Sequence, residues 1–250
     1  MSVVDLLSLS GKRVLVTGGS RGLGLGMARG MREAGAAVAI MSRTAEQVHT
    51  AASEISALPL VADANGDPAQ ILTEAEELLG GGIDCVVHAA GIQHRAAAEE
   101  FPAEEWDNVL RTNLTAPFRL SQELGRRQLQ AGCSGSHIFI GSLTSTLSIR
   151  GITAYTASKS AIYGVIRSLS TEWAGRGIRV NGIAPGYFRT NLTESVFSDP
   201  ETYANMLRRI PMERFGDPKE LAGPAVFLAS DAASYITGQL ITVDGGWTAA

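Results

Sequence analysis

Tyr155 and Lys159 stand four residues apart in the segment YTASK, at the head of a strong helical pattern. That spacing sets a phenol and an ammonium one turn apart on the same helix face. A free tyrosine titrates near pH ~10 and exchanges protons poorly at neutral pH. A nearby cation favours the phenolate, so the pair predicts a general acid/base whose tyrosine pKa is lowered. Ser142 closes the β-type run HIFIG. Open α/β sheets bind ligands outside the carboxyl ends of their strands, so a hydroxyl there can hold a carbonyl oxygen beside the phenol. Each signal is common singly; together they describe proton transfer to and from an oxygen.

A second chemistry lies near the N-terminus. The run RVLVT ends in Thr17-Gly18-Gly19-Ser20-Arg21-Gly22-Leu23-Gly24, and a helical stripe of Leu23, Met27, Met31 and Ala34 follows. A strand, a glycine turn and a helix N-terminus make an anion site, because unpaired N–H groups and the helix dipole face outward. Gly18 allows the tight turn, Gly22 lets a pyrophosphate approach, and Gly24 lets the helix pack on the strand. Ser20, Arg21 and Leu23 share the turn and are expected to contact the cofactor. The second strand ends in Ser42-Arg43, with no carboxylate to bind a ribose 2′-hydroxyl. Guanidinium groups at Arg21 and Arg43 and the Ser42 hydroxyl suit a 2′-phosphate instead. The reading is NADP, with NAD possible.

These residues need a scaffold. Short apolar runs at 13–17, 37–41, 59–63, 83–88, 137–141, 179–184 and 240–244 alternate with helical patterns near 22–34, 44–56, 68–79, 103–131, 155–175 and 218–230. Several runs are continuously apolar, as suits strands buried on both faces. The fold predicted is a single-domain, Rossmann-type doubly wound α/β sheet of about seven parallel strands, with helices on both faces. It spans residues 1–250. The polar stretch 188–216, with Pro200 and Pro211, breaks the rhythm and is expected to be a substrate lid.

Composition supports one sizeable core. The chain has 250 residues, 45% of them hydrophobic, and a formal charge of −4, which argues against a disordered chain and against a general nucleic-acid binder. No apolar run approaches a membrane span, and the N-terminus lacks signal-peptide character. Cys85 and Cys133 form no CxxC, and the four histidines show no metal spacing, so no metal site is expected. Cys85, within IDCVV, reads as a buried small hydrophobe. A cytoplasmic location follows from these features.

TGGSRGLG, His88-Ala89-Ala90-Gly91, Asn113, Ser142, YTASK and Pro185-Gly186-Tyr187-Phe188-Arg189-Thr190 occur in an order that resembles the short-chain dehydrogenase/reductase family over nearly the whole chain. The resemblance implies a catalytic tetrad. Tyr155 would be the acid/base, and Lys159 would bind the nicotinamide ribose and lower the tyrosine pKa. Ser142 would polarise the substrate carbonyl, and Asn113 would hold a water in a proton relay. Pro185, Gly186, Phe188 and Thr190 would contact the nicotinamide. Asp63 and Ala64 would border the adenine, and Ala90 and Gly91 would line the cleft. One departure is His88-Ala89, where the family usually carries two asparagines. His88 is read as structural. A homotetramer is also implied, with helices 103–131 and 155–175 and the terminal Gly245-Gly246 at subunit contacts. The 155–175 face bearing Ala161, Val165, Leu169 and Trp173 must be buried, by the chain itself or by a partner.

GIQHR at 91–95, FPAEEW at 101–106, IPMERFG at 210–216 and the ending VDGGW look like the gluconate 5-dehydrogenase and 2-deoxygluconate 3-dehydrogenase branch. The reaction would exchange a hydride between nicotinamide and a sugar acid's secondary hydroxyl or ketone. A carboxylate substrate needs a cation; Arg95 is the first candidate and Arg150 a weaker one. With Arg95, Ser142 and Tyr155 would contact substrate. The alternatives are a 3-oxoacyl-[acyl carrier protein] reductase, its carrier met by the Arg126-Arg127 pair, and a non-catalytic NADP-binding sensor.

Overall fold

The computed structural model describes residues 2–190 and 199–250. Seven strands are present: β1 (Arg13–Thr17), β2 (Ala37–Ser42), β3 (Leu58–Val61), β4 (Cys85–His88), β5 (Gly135–Ile140), β6 (Ile178–Pro185) and β7 (Leu240–Val243). The helices are α1 (Val3–Leu7), α2 (Gly22–Glu33), α3 (Ala45–Ile55), α4 (Pro68–Leu79), α5 (Ala103–Leu110), α6 (Ala116–Ala131), α7 (Thr153–Trp173), α8 (Pro200–Leu207) and α9 (Ala222–Ala229). All strand pairings are parallel, in the order β3-β2-β1-β4-β5-β6-β7. This is the doubly wound sheet expected. The chain runs outward from β1 through β2 and β3, then returns to lay β4 on the other side of β1. That reversal opens a crevice at the strands' carboxyl ends. Thr17 is level with both Met41 and His88, so the loops after β1, β2 and β4 emerge together.

Side-chain alternation divides the core between the two faces of the sheet. Val14 and Val16 of β1 meet Met27 and Met31 of α2 and Leu228 of α9. Leu15 points the other way, to Leu72 of α4 and Leu120 and Leu124 of α6. Farther along the sheet, Phe139 and Val180 pack on Ile162 and Ile166 of α7. Leu169 and Trp173 belong to that same core, while Ala161 and Val165 are half-buried. The apolar face of α7 is therefore covered in large part by its own chain.

Four features depart from expectation. The helix predicted over 103–131 is broken by a π turn at Arg111–Thr115, between α5 and α6. Pro117 supplies the reason: it has no N–H for the carbonyl of Asn113 four residues back, and its ring crowds that carbonyl. The helix predicted over 218–230 begins as a 3₁₀ turn, Pro218–Leu221, which Asp217 caps through the amide of Lys219. The short helices α1 and α8 were not anticipated. Of the 188–216 lid segment, residues 191–198 lie outside the described residues. Its described part holds α8 and then Ile210, which packs with Leu143 and Trp247. Gly245 and Gly246, expected at a subunit contact, adopt left-handed conformations (φ +66° and +91°). A Cβ at either would strike Ile210 or Pro211 of the same chain. Their requirement is thus an internal turn.

Candidate active site

The glycine turn meets its predicted geometry. Gly18 has φ +65°, and a Cβ there would lie 2.7 Å from the amide nitrogen of Ala90. Any side chain would therefore push β1 and β4 apart at the crevice. Gly22 has φ +54°, and its missing Cβ faces little but the Thr190 methyl at 3.5 Å. A Cβ on Gly24 would lie 2.3 Å from the carbonyl oxygen of Gly18, so helix and turn pack backbone to backbone. No side chain caps the N-terminus of α2, whereas Asp67 caps α4 and Asp199 caps α8. An uncapped N-terminus behind a glycine turn keeps N–H groups for a phosphate.

One cleft joins these parts. Gly18, Ser20, Arg21, Gly22 and Leu23 line it after β1, with Ser42 and Arg43 after β2. Asp63 and Ala64 line it after β3, and Ala90 and Gly91 after β4, with Thr190, Tyr155 and Lys159 at its inner end. The N-terminus of α3, beside Arg43, also lacks a side-chain cap. Among the described residues, no carboxylate lies within 4.0 Å of Arg21 or Arg43. Two uncapped helix ends and two such cations fit a dinucleotide carrying an additional phosphate on its adenosine half.

At the inner end, α7 presents Tyr155 and Lys159 as the spacing requires. The Lys159 ammonium is 5.5 Å from the centre of the Tyr155 ring and donates to the carbonyl of Ile140 at 2.7 Å. Burial pulls its pKa down to about 8. Tyr155 differs from expectation: burial raises its pKa, against the lowering effect of a hydrogen bond from Ser142. The i, i+4 spacing brings the cation near, but removal of water from the phenol is the larger effect.

Ser142 begins the turn after β5. Its amide donates to Ser145 Oγ (3.2 Å), and its own Oγ accepts from the amide of Thr144 (3.2 Å). Ser145 Oγ in turn donates to the carbonyl of Lys159 at 3.0 Å. One hydroxyl thus ties the Ser142 loop to α7. Asn113 sits in the π turn, and both polar atoms of its amide are engaged. Oδ1 accepts from Ile92 N (2.8 Å), while Nδ2 donates to Ile92 O (2.9 Å) and Ser158 Oγ (3.2 Å). Ser158 Oγ donates to the Tyr155 carbonyl at 2.7 Å. The four tetrad candidates are therefore brought together, and Ser145 and Ser158 couple them. Sequence reasoning missed both serines, although S-x-x-S at 142–145 is the spacing of a capping box.

A second pocket adjoins the first through Leu23, Ile140, Tyr155 and Thr190. Ser142, Gln93, Arg95, Ile149, Pro185, Gly186 and Tyr187 complete much of its wall. Arg95 is exposed at its rim. With the Gln93 amide oriented by its neighbours, Gln93 accepts from Arg95 Nε at 3.0 Å and Nη2 at 3.3 Å. Pro185 and Gly186, expected against the nicotinamide, line this pocket and not the first. Phe188 does likewise, and its ring lies in the core against Gly216. Arg150 lines neither. Among the described residues, no group of three or more His, Cys, Asp or Glu is placed to hold a metal, and no helix is long and apolar enough to cross a membrane. Cys85 is buried as expected, its thiol pushed up to about 12 by desolvation.

Comparison with known proteins agrees with this geometry. A family model described as enoyl-(acyl carrier protein) reductase matches residues 18–248. Gluconate 5-dehydrogenase of Gluconobacter oxydans is 41% identical, over 99% of each chain. The 2-dehydro-3-deoxy-D-gluconate 5-dehydrogenase of Escherichia coli is 40% identical, again over 99% of each. A crystal structure of gluconate 5-dehydrogenase from Burkholderia cenocepacia, in complex with NADP and tartrate, superimposes with a TM-score of 0.94 at 37% identity, over 100% of both chains. A glycine turn between β1 and α2, a Ser–Tyr–Lys cluster at the inner end of its cleft and full-length likeness to such dehydrogenases all agree: the chain belongs to the short-chain dehydrogenase/reductase family.

Proposed function

We propose that this chain is an NADP-dependent oxidoreductase acting on a secondary hydroxyl or ketone of a sugar acid of the gluconate type. One observation carries the proposal: Ser142, Tyr155 and Arg95 line one pocket, which shares Tyr155 with the dinucleotide cleft. The names of the relatives agree with that substrate class. When bound, the nicotinamide accepts or supplies the hydride. Tyr155 takes the hydroxyl proton in oxidation and returns it in reduction. Ser142 holds the reacting oxygen against the phenol. The Lys159 ammonium, kept near by its bond to Ile140, favours the phenolate as the proton moves. Asn113 fixes Ile92 and, through Ser158, the first turn of α7. Both protons of its side-chain amide are used there, so a relay water could reach that amide only at the second lone pair of Oδ1. Arg95, exposed at the rim, meets the carboxylate.

Arg21, Ser42 and Arg43 are proposed to hold the adenosine 2′-phosphate. Exchanging Arg43 for Ala should weaken NADPH about tenfold or more and leave NADH nearly unchanged, as read by cofactor fluorescence; equal effects on both would refute the assignment. The protein is proposed to act in the cytoplasm as a homotetramer, with the whole of 1–250 as one catalytic unit. A carrier-protein substrate finds less support. Arg127 pairs with Glu76 and Glu123, and Arg126 with Glu123, so their charge is already met. A non-catalytic sensor would not need the intact tetrad. Turnover with NADP against sugar acids, neutral sugars, β-ketoacyl thioesters and cyclic ketones tests the proposal. Activity confined to thioesters, or absent throughout, would overturn it.

A further inference from the structure

Tyr187 follows β6 and lines the pocket that holds Ser142 and Tyr155. Its ring lies against Trp247 from the chain's end, with centroids 4.9 Å apart. Arg209 covers Trp247, its guanidinium carbon 4.2 Å from the ring centre. Arg95 reaches the same pocket from the loop after β4. Burial raises the pKa of the Tyr187 phenol, while Arg95 and Arg209 both lower it, so both cations act on that hydroxyl.

Among the described residues, neither guanidinium has a carboxylate within 4.0 Å. The Tyr187 hydroxyl has no hydrogen-bond partner among them either. Arg95 and the unmatched Tyr187 hydroxyl line one partly dry pocket, and Arg209 stands behind it on Trp247, which stacks with Tyr187, so two like charges bear on a site whose bonding capacity is open. An anion in the pocket answers both. Gln93 steadies Arg95 at the pocket and Trp247, stacked on Tyr187, steadies Arg209 by cation–π contact, so neither cation is neutralised by the group that holds it.

We propose that Tyr187 and Arg209 join Arg95 to form the carboxylate end of the substrate site and set the preference for a sugar acid over the uncharged polyol of the same carbon skeleton. This rests on the sugar-acid reading above and deepens it. Segments remote in sequence supply the three groups: the loop after β4, the loop after β6, and the stretch after α8 held on the C-terminal Trp247. A hydroxyl donor that feels two guanidinium groups suits an anion, and the planar guanidinium fork matches a carboxylate.

The test compares gluconate with sorbitol, which carries CH₂OH in place of the carboxylate, at saturating NADP. Wild type should prefer gluconate in kcat/KM. R209Q should cut the gluconate-to-sorbitol preference about tenfold, through KM for gluconate, with kcat changed less than threefold. Y187F should cut it about threefold by the same route. R209K, which keeps the charge, should retain most of the preference. Thermal midpoints report folding, and should R209Q fail to fold, Y187F and R209K carry the same comparison. Wild type preferring gluconate while R209Q and Y187F keep its ratio would overturn the anion site alone. Losses that fall equally on both substrates would also overturn it. A wild type with no preference for gluconate would overturn the sugar-acid reading and, with it, this inference.

Discussion

Strand β5 serves two buried polar clusters, and only one of them can do chemistry. Near its start, His137 Nε2 lies 3.0 Å from Gln128 Oε1, and its Nδ1 lies 2.9 Å from Ser121 Oγ. Ser121 Oγ is also 2.7 Å from His88 Nε2, and Gln128 Nε2 donates to the carbonyl of Ile83 at 3.0 Å. The amide fixes the order of protons. Gln128 Oε1 can only accept, so His137 donates from Nε2 and accepts at Nδ1 from Ser121. Ser121 then accepts from His88 Nε2–H, and His88 Nδ1 is left as a bare, unpartnered acceptor. Near the end of β5, Lys159 bonds the Ile140 carbonyl and otherwise faces the cleft with Tyr155. Burial shifts pKa values in both clusters. It takes His137 down to about 3 and His88 well below its usual value, which favours the neutral form of both. It leaves Lys159 at about 8, within reach of neutral pH. Desolvation alone therefore does not mark a catalytic group. The distinction lies in whether the polar groups are walled in by protein, as His88 Nδ1 is even without a partner, or open to a cavity.

The sharpest way to break this contrast is to remove one oxygen from the open cluster. Tyr155→Phe keeps the ring and its packing but removes the proton carrier. Turnover should fall about 10²–10⁴-fold, with cofactor affinity kept within about twofold. Steady-state kinetics and cofactor fluorescence check both halves. Activity close to wild type would mean that another group moves the proton.

The two clusters were unequally legible in the sequence. The turn at 17–24 was readable to single residues, because Gly18 and Gly24 have backbone atoms 2.7 and 2.3 Å from where a Cβ would stand. Steric demands that absolute restrict residue type and so show in sequence. Tyr155 and Lys159 were readable because helix periodicity alone places them together. The sign of the tyrosine's shift was not, since spacing reports proximity and says nothing of how much water the fold removes. Asn113 was found by motif order, yet its π turn was missed. Pro117, four residues on, carried that signal. Ser145 carried a local signal in its S-x-x-S spacing, whereas Ser158, Tyr187 and Arg209 were missed because Asn113, the second pocket and Trp247 are reached only in the folded chain. His88 was correctly read as structural, but its chain to Gln128 needs α6 packed on β4 and β5.

Ser121→Ala cuts the closed cluster at its centre. It strands Nε2–H of His88 and Nδ1 of His137 in a dry environment, at a cost of about 1–3 kcal/mol. Chemical denaturation should show that loss, while kcat/KM at 25 °C changes less than about twofold. An equal fall in activity would couple the two clusters and remove the distinction between them.

The smallest effect is a pH dependence. A histidine held neutral in the fold but titrating near 6.5 when unfolded binds fewer protons folded than unfolded below that pH. Its stabilising contribution is therefore complete above about pH 6.5 and declines as pH falls toward the folded value, about 3 for His137. At pH 6 the loss is on the order of 1 kcal/mol for each such histidine. His88→Asn removes one of the two titrating groups. Between pH 7.5 and 6 the variant should lose less stability than wild type by about that amount, whatever its absolute stability. Comparing the two slopes cancels the carboxylates that both proteins share. Parallel slopes would mean that His88 is protonated in the fold, and the proton order drawn from the Gln128 amide would then fail at its last link.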